Sequence, residues 1–375
     1  MIGFFSNFFK HHQALVASEL YKLTDGQYAF VETMQMPDWI ANSGYPEYNE
    51  PYLIRAWKNA DNAALAWKLC ETADVCVFGG PEVLHYAVFR ARLGKFSFEV
   101  GERALKKGWL NLLSPYLIKN QWFYHTLFRY NPFYYLCSSA FSAHDLKKLH
   151  SYKNRCYKWG YFTNVDDFNK TLTKRKYTKR VEMMWCARFL DWKHPELPVL
   201  LASRLKKKKY DFHIDMYGNG KYFKQTKELI ERLNIEDVVT LKGNKPNAEI
   251  LQEMANHDIF LFTSDKQEGW GAVANEAMSQ GCILVGADQI GSVPYLIKDN
   301  ENGVLFRSND IDSLTERVSF LFEHREVWYR ISDNAKLTMR TLWSPKIAAQ
   351  NFLTLIDNLQ NGSDSSILEG PCSKA

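Results

Sequence analysis

The chain has 375 residues, of which 46% are hydrophobic and 24% are charged, and its formal net charge is +5. This length exceeds the size at which single hydrophobic cores stop growing, so we expect two domains. The seven cysteines are scattered and form no C-x-x-C pair, which argues against a disulfide framework and a zinc site. Without a signal peptide or a long apolar run, the sequence predicts a cytoplasmic protein. Its mild positive charge favours anionic ligands or an anionic membrane surface and does not argue for nucleic acid.

Short apolar runs alternate with helical patterns through the first half of the chain. The runs are IGFFSN, YAFVET, DVCVFGG, KFSFEV, YYLCSS and YKWGYF. Strands that alternate with helices predict a parallel sheet with helical crossover connections. We therefore predict a Rossmann-like domain over residues 1–162 and a polar, basic linker over residues 163–180.

The segment FFSNFFKHHQ places polar side chains at the end of the first predicted strand. They are Asn7, Lys10, His11, His12 and Gln13. The carboxyl edge of such a sheet is where ligands bind in open α/β folds. One histidine could act as a base toward a bound hydroxyl group, because the ordinary pKa of imidazole is near 6.5. The alternative is that both are plain polar loop residues, as adjacent histidines more often are.

Basic and apolar side chains are interleaved between residues 104 and 136. They are Lys106, Lys107, Lys119 and Arg129 with Trp109, Leu112, Leu113, Trp122, Phe123 and Phe128. This mixture suits a helix that lies on an anionic membrane, and a peripheral position on the inner face of the cell membrane is one expectation. The alternative is that these helices pack on the sheet of their own domain.

The second half of the chain repeats the alternation of strands and helices. Its apolar runs are VEMMWCAR, FHIDMYG, VVTLKG, DIFLFTS, CILVGAD and GVLF. They predict a second doubly wound domain over residues 181–342. A helix over residues 343–360 is expected to pack back towards the first domain, and the polar tail over residues 361–375 is expected to be disordered.

The segment QEGWGAVANEAMSQG carries two glutamates around a predicted helix start. Glu268 lies in a loop after the apolar run DIFLFTS, and Glu276 lies about one turn into the helix that ends before Gly281. Gly269 and Gly271 would let backbone N–H groups approach a ligand closely, and a carboxylate there could bind sugar hydroxyls. The alternative is a surface loop and an amphipathic helix with solvated glutamates.

Two more strand ends in this half carry candidate ligand-binding residues. Arg188 and Lys193, in CARFLDWKHPE, could together bind a diphosphate. The arginine guanidinium would bind two phosphate oxygens at once, and the lysine ammonium would act as a single point charge. Gly218 and Gly220, in MYGNGKYF, do not complete G-x-G-x-x-G, so a nicotinamide cofactor is not expected. These glycines either approach a ligand or form a tight turn.

The second half resembles the nucleotide-sugar domain of the retaining glycosyltransferases of family 4, the glycosyl transferases group 1. The resemblance runs from Val181 to about Phe306 and rests on ARFLDWK, YGNG, LKGN, EGWGAVANEA, GSVPYLI and NGVLF. The two ends of the first half, FFSNFFKHHQ and CYKWGYF, resemble bacterial polysaccharide glycosyltransferases of this group. The resemblance implies an α/β fold called GT-B, with two Rossmann-like, doubly wound domains facing across a cleft.

The resemblance also implies a role for each candidate residue. Arg188 and Lys193 would stabilise the departing diphosphate, Glu276 would hold the ribose hydroxyls, and Glu268 would contact the transferred sugar. The residues expected at the donor are Gly218, Gly220, Gly269, Trp270, Gly271 and Glu276. The residues expected at the acceptor or cleft are Asn7, His11, His12, Gln13, Glu102 and Arg103. The last two stand in FEVGERALKKG, where many relatives carry a histidine that contacts the donor sugar.

The function implied is a metal-independent hexosyl transfer without a cofactor. The donor would be a nucleotide-diphosphate sugar, above all a UDP-sugar, and the acceptor a glycan or a lipid-linked glycan in capsule, exopolysaccharide or lipopolysaccharide synthesis. A nucleotide-sugar epimerase of the same architecture and a non-catalytic nucleotide-sugar binding module are the alternatives. The D-x-D formed by Asp310 and Asp312 is expected to start a helix as an N-cap, not to bind a metal.

Overall fold

The structure is a computed structural model that describes residues 1–37, 48–126, 128–165 and 180–375; the side chains at positions 112, 116, 121, 123 and 124 are also outside the description. The chain divides into two compact units. The first unit comprises Met1–Thr163 and Leu342–Ala375, and the second comprises Asn164–Thr341. Positions 166–179 of the predicted linker lie outside the described residues.

The first unit is built on a parallel sheet of seven strands. They are β1 (Ile2–Ser6), β2 (Tyr28–Glu32), β3 (Leu53–Arg55), β4 (Val75–Gly79), β5 (Ser97–Gly101), β6 (Phe133–Cys137) and β7 (Cys156–Lys158). Their order is β3-β2-β1-β4-β5-β6-β7, so the direction of winding reverses between β1 and β4. The helices described before the second unit are α1 (His11–Leu23), α2 (Ala60–Thr72), α3 (Leu84–Arg92), α4 (Pro115–Thr126) and α5 (Ser142–Lys148).

The second unit contains a parallel sheet of six strands. They are β8 (Val181–Cys186), β9 (Phe212–Tyr217), β10 (Val239–Gly243), β11 (Ile259–Phe262), β12 (Ile283–Ala287) and β13 (Val304–Phe306). Their order is β10-β9-β8-β11-β12-β13. Its helices are α6 (Glu196–Lys207), α7 (Phe223–Leu233), α8 (Asn247–Asn256), α9 (Val273–Ser279), α10 (Val293–Leu296), α11 (Ile311–Glu323) and α12 (Trp328–Thr341). The two sheets confirm the prediction of two doubly wound α/β domains.

Two helix ends in the second unit have the capping residues that the sequence predicts. The Asp310 carboxylate accepts a hydrogen bond from the Ser313 backbone N–H at 2.8 Å, so Asp310 is the N-cap of α11. Gly281 follows α9 with a φ of +79°, the left-handed conformation that commonly ends a helix. The helix that carries Glu276 therefore begins and ends close to where the sequence places it.

The last helix, α13 (Pro345–Gln360), and the tail after it belong to the first unit. α13 packs against α1, and its Phe352 ring lies 5.1 Å from the Phe98 ring of β5. The tail is ordered, contrary to the prediction of disorder. Cys372 is fully buried, and Lys158 of the edge strand β7 donates its backbone N–H to the Ser373 carbonyl at 2.8 Å. The backbone of the tail pairs with β7, and this pairing explains why the tail is ordered despite its polar composition.

None of the helices in the described ranges combines the length and the apolar character that crossing a membrane requires.

Arg90 on α3 is fully buried and joins several backbone segments of the first unit. Its guanidinium donates to the carbonyl oxygens of Cys70 at 2.8 Å, Ala73 at 2.7 Å and Phe96 at 3.2 Å. Cys70 and Ala73 lie at the end of α2, and Phe96 precedes β5. A buried cation requires full hydrogen bonding of this kind, so Arg90 fixes how α2, α3 and β5 meet.

Replacing Arg90 with alanine should lower the free energy of unfolding by roughly 3 kcal/mol or more, because it opens a cavity and leaves buried carbonyl groups without donors. Urea denaturation of the full chain measures the change. The matched control is Arg92→Ala, which removes an exposed arginine from the same helix and should change stability by no more than about 0.5 kcal/mol. Equal losses in the two variants would contradict this role of Arg90.

Candidate functional site

The charged residues predicted for the site of the second unit follow two neighbouring strands. β8 pairs with β11 in parallel, and the winding of the sheet reverses between them. Arg188 comes two residues after β8, and Glu268 lies in the loop after β11. In open α/β sheets this reversal leaves a crevice at the carboxyl ends of the strands, where ligands bind.

Lys193 and Glu268 form an ion pair in which the lysine Nζ donates to Glu268 Oε2. Both side chains are largely buried, with 13% and 14% of their surfaces exposed. Ser264 Oγ donates to the same carboxylate oxygen at 3.0 Å. Within the described residues, Glu268 Oε1 has no hydrogen-bond partner, so one oxygen of this fixed carboxylate is available to a ligand.

Thr263 holds the backbone that carries Lys193. Its Oγ1 donates to the Lys193 carbonyl oxygen at 2.8 Å and accepts from Trp185 Nε1 at 2.9 Å. Asp265 adds a backbone hydrogen bond from its N–H to the Trp192 carbonyl oxygen at 2.9 Å. The sequence reasoning missed Thr263, although its place directly after the apolar run DIFLF could have indicated it.

Arg188 is the exposed cation of the site. Its guanidinium makes no hydrogen bond or ion pair with any residue that the structure describes. The backbone beside it is fixed, since the N–H of Phe189 donates to the Asn219 carbonyl oxygen at 3.0 Å. The five donors of the guanidinium can therefore meet an anionic ligand without breaking an internal contact.

Gly218 and Gly220 lie where the loop after β9 packs on the segment around Arg188. A Cβ atom added to Gly218 would lie 2.0 Å from the Ala187 carbonyl oxygen, and one added to Gly220 would lie 2.7 Å from that of Phe189. Gly218 also has a φ of +123°. Close backbone packing therefore explains both glycines, whether or not a ligand also approaches them.

Glu276 is half-buried in the first turn of α9. Its Oε1 accepts a hydrogen bond from Asn247 Nδ2 at 3.2 Å, and burial raises the pKa of Glu276 to about 7. Burial and the nearby Glu276 carboxylate raise the pKa of Cys186, at the end of β8, to about 12, and Lys193 opposes them. Glu276 and Lys193 thus act on the same thiol, which places both near the end of β8. No sequence pattern had indicated Asn247 or Cys186 as site residues.

The segment between the two glutamates is largely buried. Gly269 is buried, and Gly271 has a φ of +79°, with the Phe262 ring only 2.3 Å from where its Cβ would lie. Trp270 is fully buried, and its Nε1 donates to Asn275 Oδ1 at 2.8 Å. Because the indole of Trp270 packs in the core, the place predicted for Trp270 at the donor would rest on its backbone.

A cavity of about 450 Å³ lies at the carboxyl edge of the first sheet. Four of the six residues predicted for this unit line it, namely Asn7, His12, Gln13 and Glu102. Gln13 is oriented by two hydrogen bonds: its Nε2 donates to Ser6 Oγ at 3.3 Å, and its Oε1 accepts from the Lys10 N–H at 3.1 Å. The structure thus brings together residues from the ends of β1 and β5.

His11 and His12 begin α1 and do not lie in a loop. Burial lowers the pKa of His11 to about 4, with help from Lys10. Burial, His11 and Lys10 lower the pKa of His12 to about 3. The ring of His12 stacks on that of Tyr161, with centroids 5.2 Å apart. Both imidazoles are neutral at pH 7, and such low pKa values make them weak bases.

Glu102 and Arg103 have different surroundings although they are adjacent in sequence. Glu102 Oε1 accepts a hydrogen bond from the Tyr161 hydroxyl at 2.7 Å, at the wall of the cavity. Arg103 forms a bidentate pair with the buried Asp145, whose oxygens lie 3.2 Å from its Nε and Nη2. Arg103 therefore ties the segment after β5 to α5. It is not among the residues that line the cavity, and its place at the acceptor or cleft stays a prediction.

The sequence of the second unit matches a known family. Residues 169–338 match the family model described as Glycosyl transferases group 1. A relative in Salmonella typhimurium is the glycosyltransferase WcaL, provisionally assigned to colanic acid biosynthesis, which is 28% identical over 144 residues. The match covers 37% of this chain and 35% of WcaL, so the chain spans about a third of the length of that relative.

Two solved structures resemble nearly the whole chain. HepE of Anabaena, crystallised in complex with UDP, has a TM-score of 0.71 at 15% identity, over 95% of this chain and 99% of HepE. The lipopolysaccharide outer core galactosyltransferase WaaB, in its apo form, has a TM-score of 0.67 at 15% identity, over 95% of this chain and 99% of WaaB. At this identity the likeness shows the fold alone. The chain therefore has the GT-B fold, and its second unit carries a Glycosyl transferases group 1 domain.

Proposed function

We propose that this protein is a retaining, metal-independent glycosyltransferase that moves a hexosyl group from a UDP-sugar to a glycan or lipid-linked acceptor. The observation that carries the proposal is the group of charges after β8 and β11: Arg188, which pairs with no described residue, the Lys193–Glu268 pair and the half-buried Glu276. The family of the second unit and the UDP bound to HepE support it. The names of WcaL and WaaB favour a place in polysaccharide or lipopolysaccharide synthesis.

Arg188 and Lys193 would stabilise the leaving nucleotide. Cleavage of the bond between sugar and diphosphate leaves growing negative charge on the phosphate oxygens, and fixed cations in a partly buried site lower the energy of that state. The Arg188 guanidinium can bind two phosphate oxygens as a fork. Lys193 has three N–H donors, so it can keep Glu268 as a partner and also donate to phosphate.

Glu268 would contact the transferred sugar through its free Oε1. The other oxygen already accepts from Lys193 and Ser264, and two such hydrogen bonds reduce the nucleophilicity of the carboxylate. We therefore assign Glu268 to sugar binding in preference to a covalent intermediate. Glu276, positioned by Asn247, would accept hydrogen bonds from the ribose hydroxyls.

The cavity of the first unit would take the acceptor. Glu102, His12 and Gln13 line it and offer a carboxylate, a neutral imidazole and an amide, which are groups that bind sugar hydroxyls. Because the pKa of His12 is about 3, we assign His12 to hydrogen bonding and not to proton removal. An epimerase would need no such acceptor pocket, and a binding module would not release nucleotide.

Peripheral contact with an anionic membrane would bring lipid-linked acceptors to a cytoplasmic enzyme. Trp109, Leu113 and Trp122 are 60%, 77% and 61% exposed, which is unusual for large apolar side chains. Phe128 is buried, so it packs in the first unit as the alternative interpretation predicts. The side chains of Leu112 and Phe123 lie outside the described residues.

Arg188→Ala and Lys193→Ala should each lower kcat by about 10²- to 10³-fold, by analogy with the loss of one oxyanion-hole donor, while excess chelator leaves the wild-type rate unchanged. Release of UDP from a UDP-sugar in the presence of acceptor measures both effects. Arg232→Ala, an exposed arginine of α7 in the same unit, is the matched control and should retain the wild-type rate. Activity that chelator abolishes and magnesium restores, with both variants near wild type, would refute the proposal.

Binding of UDP-glucose should strengthen as the pH rises from 6 to 8. Ionisation of Glu276, whose pKa is about 7, creates the carboxylate that accepts from the ribose, so affinity should rise roughly tenfold over this interval. The diphosphate diester of UDP-glucose does not change charge there. Isothermal titration calorimetry checks the trend, and Glu276→Gln should bind weakly and without pH dependence. A wild-type affinity that falls with pH would mean that Glu276 binds as the protonated acid.

The chain should sediment with vesicles that contain phosphatidylglycerol and not with pure phosphatidylcholine vesicles. High salt should release it, because salt screens the attraction between basic side chains and anionic lipids. Trp109→Ser and Trp122→Ser should weaken sedimentation without changing the far-UV circular dichroism, since both side chains are exposed. If the wild type fails to sediment at every salt concentration, the apolar surface is not a membrane contact.

A further inference from the structure

A second and larger cavity lies at the opposite edge of the first sheet from the acceptor pocket. It has a volume of about 1050 Å³ and is lined by Phe133 and Cys156, the first residues of β6 and β7. The acceptor pocket is lined instead by Gly79 and Gly101, the last residues of β4 and β5. The larger cavity is therefore separate from the acceptor pocket, and neither the family resemblance nor the proposed sugar transfer assigns a ligand to it.

The lining of this cavity is strongly basic. Its cations are Arg129, Lys147, Lys153, Arg155 and Lys374, and its histidines are His125, His144 and His150. None of the residues that line it has an acidic side chain. They come from α4, the segment between α4 and β6, α5, the segment before β7 and the C-terminal tail. The concentration of positive charge therefore arises only when the unit folds.

Most of these cations are not neutralised by the protein itself. Arg129, Lys147 and Lys153 make no ion pair with any residue in the described ranges. Lys374 differs, because its Nζ pairs with Asp364 at 2.6 Å. Arg155 is held by backbone carbonyl groups, including that of Phe128 at 3.5 Å. Unpaired cations that converge on one concave surface raise the local concentration of anions.

The backbone that forms one wall of the cavity has an unusual conformation. His150, Tyr152 and Asn154 have φ values of +56°, +48° and +60°, so three of five consecutive residues are left-handed. This is uncommon for residues other than glycine, especially for a bulky tyrosine. The Tyr152 hydroxyl donates to Glu99 Oε2 at 2.7 Å, which helps to hold the segment in this form. Tertiary contacts therefore fix the backbone of this wall in a conformation that its residues would not prefer on their own.

Exposed apolar side chains lie beside the cavity. His125 lines it from the last turn of α4. Ile118 and Trp122, seven and three residues earlier, share a helix face by their i, i+4 spacing. These two side chains are 54% and 61% exposed, and Tyr130, which also lines the cavity, is 79% exposed. Apolar side chains next to a basic cavity suit the headgroup region of a membrane.

We propose that this cavity binds a phosphate-bearing anion. Phosphate fits because its oxygens point in several directions and can accept hydrogen bonds from more of the converging cations at once than the two oxygens of a carboxylate can. The phosphate belongs either to a lipid headgroup, which the apolar side chains of α4 favour, or to a small molecule in solution. The inference does not depend on sugar transfer, because it concerns only binding at the amino edge of the first sheet.

The test compares two double variants of the full chain by titration with inorganic pyrophosphate. Lys147→Gln/Lys153→Gln removes two exposed cations from the cavity, and Lys207→Gln/Lys209→Gln removes two exposed lysines from the second unit. The cavity variant should raise the Kd at least tenfold, and the control should change it less than twofold. Both double variants keep Arg188, so any binding of pyrophosphate there is the same in both. The difference between their Kd values therefore reports binding in the cavity alone.

Competition with vesicles then identifies the source of the phosphate. Displacement of pyrophosphate by phosphatidylglycerol vesicles, and not by phosphatidylcholine vesicles, would identify a lipid headgroup. Binding of pyrophosphate that neither type of vesicle displaces would identify a soluble ligand. Equal Kd values for the two double variants, or no pyrophosphate binding by the wild type at millimolar concentration, would overturn the proposal. Loss of transferase activity alone would not bear on it.

Discussion

The pairing of β8 with β11 is the interaction on which the candidate donor site depends. It brings the loop that carries Lys193 against the loop that carries Glu268, although the two residues are 75 positions apart in the sequence. Thr263, directly after β11, then fixes the Lys193 backbone. The strand order thus brings the charges of Lys193 and Glu268 into the same region, and the Thr263 hydroxyl fixes the exact position of the Lys193 backbone. A shift of either loop would separate the two charges and leave both partly buried without partners, which is costly.

Glu276 in the second unit and His11 and His12 in the first each lower the stability of the ligand-free protein over part of the pH range. With its pKa raised to about 7, folded Glu276 keeps a proton that the unfolded chain releases, so stability falls as the pH rises from about 4.5 to 7. The lowered pKa values of His11 and His12 act in the other direction, since the unfolded chain gains protons below about pH 6.5 that the folded form does not accept. Sites that bind ligands commonly carry such a cost.

The sequence predicts what depends on local pattern and misses what depends on distant packing. The apolar runs place the strand ends, so Arg188 and Glu268 could be located from the sequence. The pairing of Arg103 with Asp145 joins residues 42 positions apart, so it could not be predicted from a local sequence pattern. Trp270 stands between glycines in a polar loop, yet its indole packs in the core and donates a hydrogen bond to Asn275. The ordered tail and the basic cavity likewise form only when separate segments meet.

If the site binds a nucleotide sugar as proposed, the Lys193–Glu268 pair explains how two largely buried charges could still accommodate an anion. Ordering a lysine side chain costs conformational entropy. Here the ion pair with Glu268 and the hydrogen bond from Thr263 to the Lys193 backbone order Lys193 before any ligand binds. The bound carboxylate lowers the net charge of the site, but it leaves two lysine N–H donors, the whole Arg188 guanidinium and Glu268 Oε1 for a ligand. A ligand with both phosphate and sugar hydroxyls satisfies all of these groups at once. A bare phosphate would satisfy only the cations, so under the proposed function the pair would favour nucleotide sugars over free phosphate.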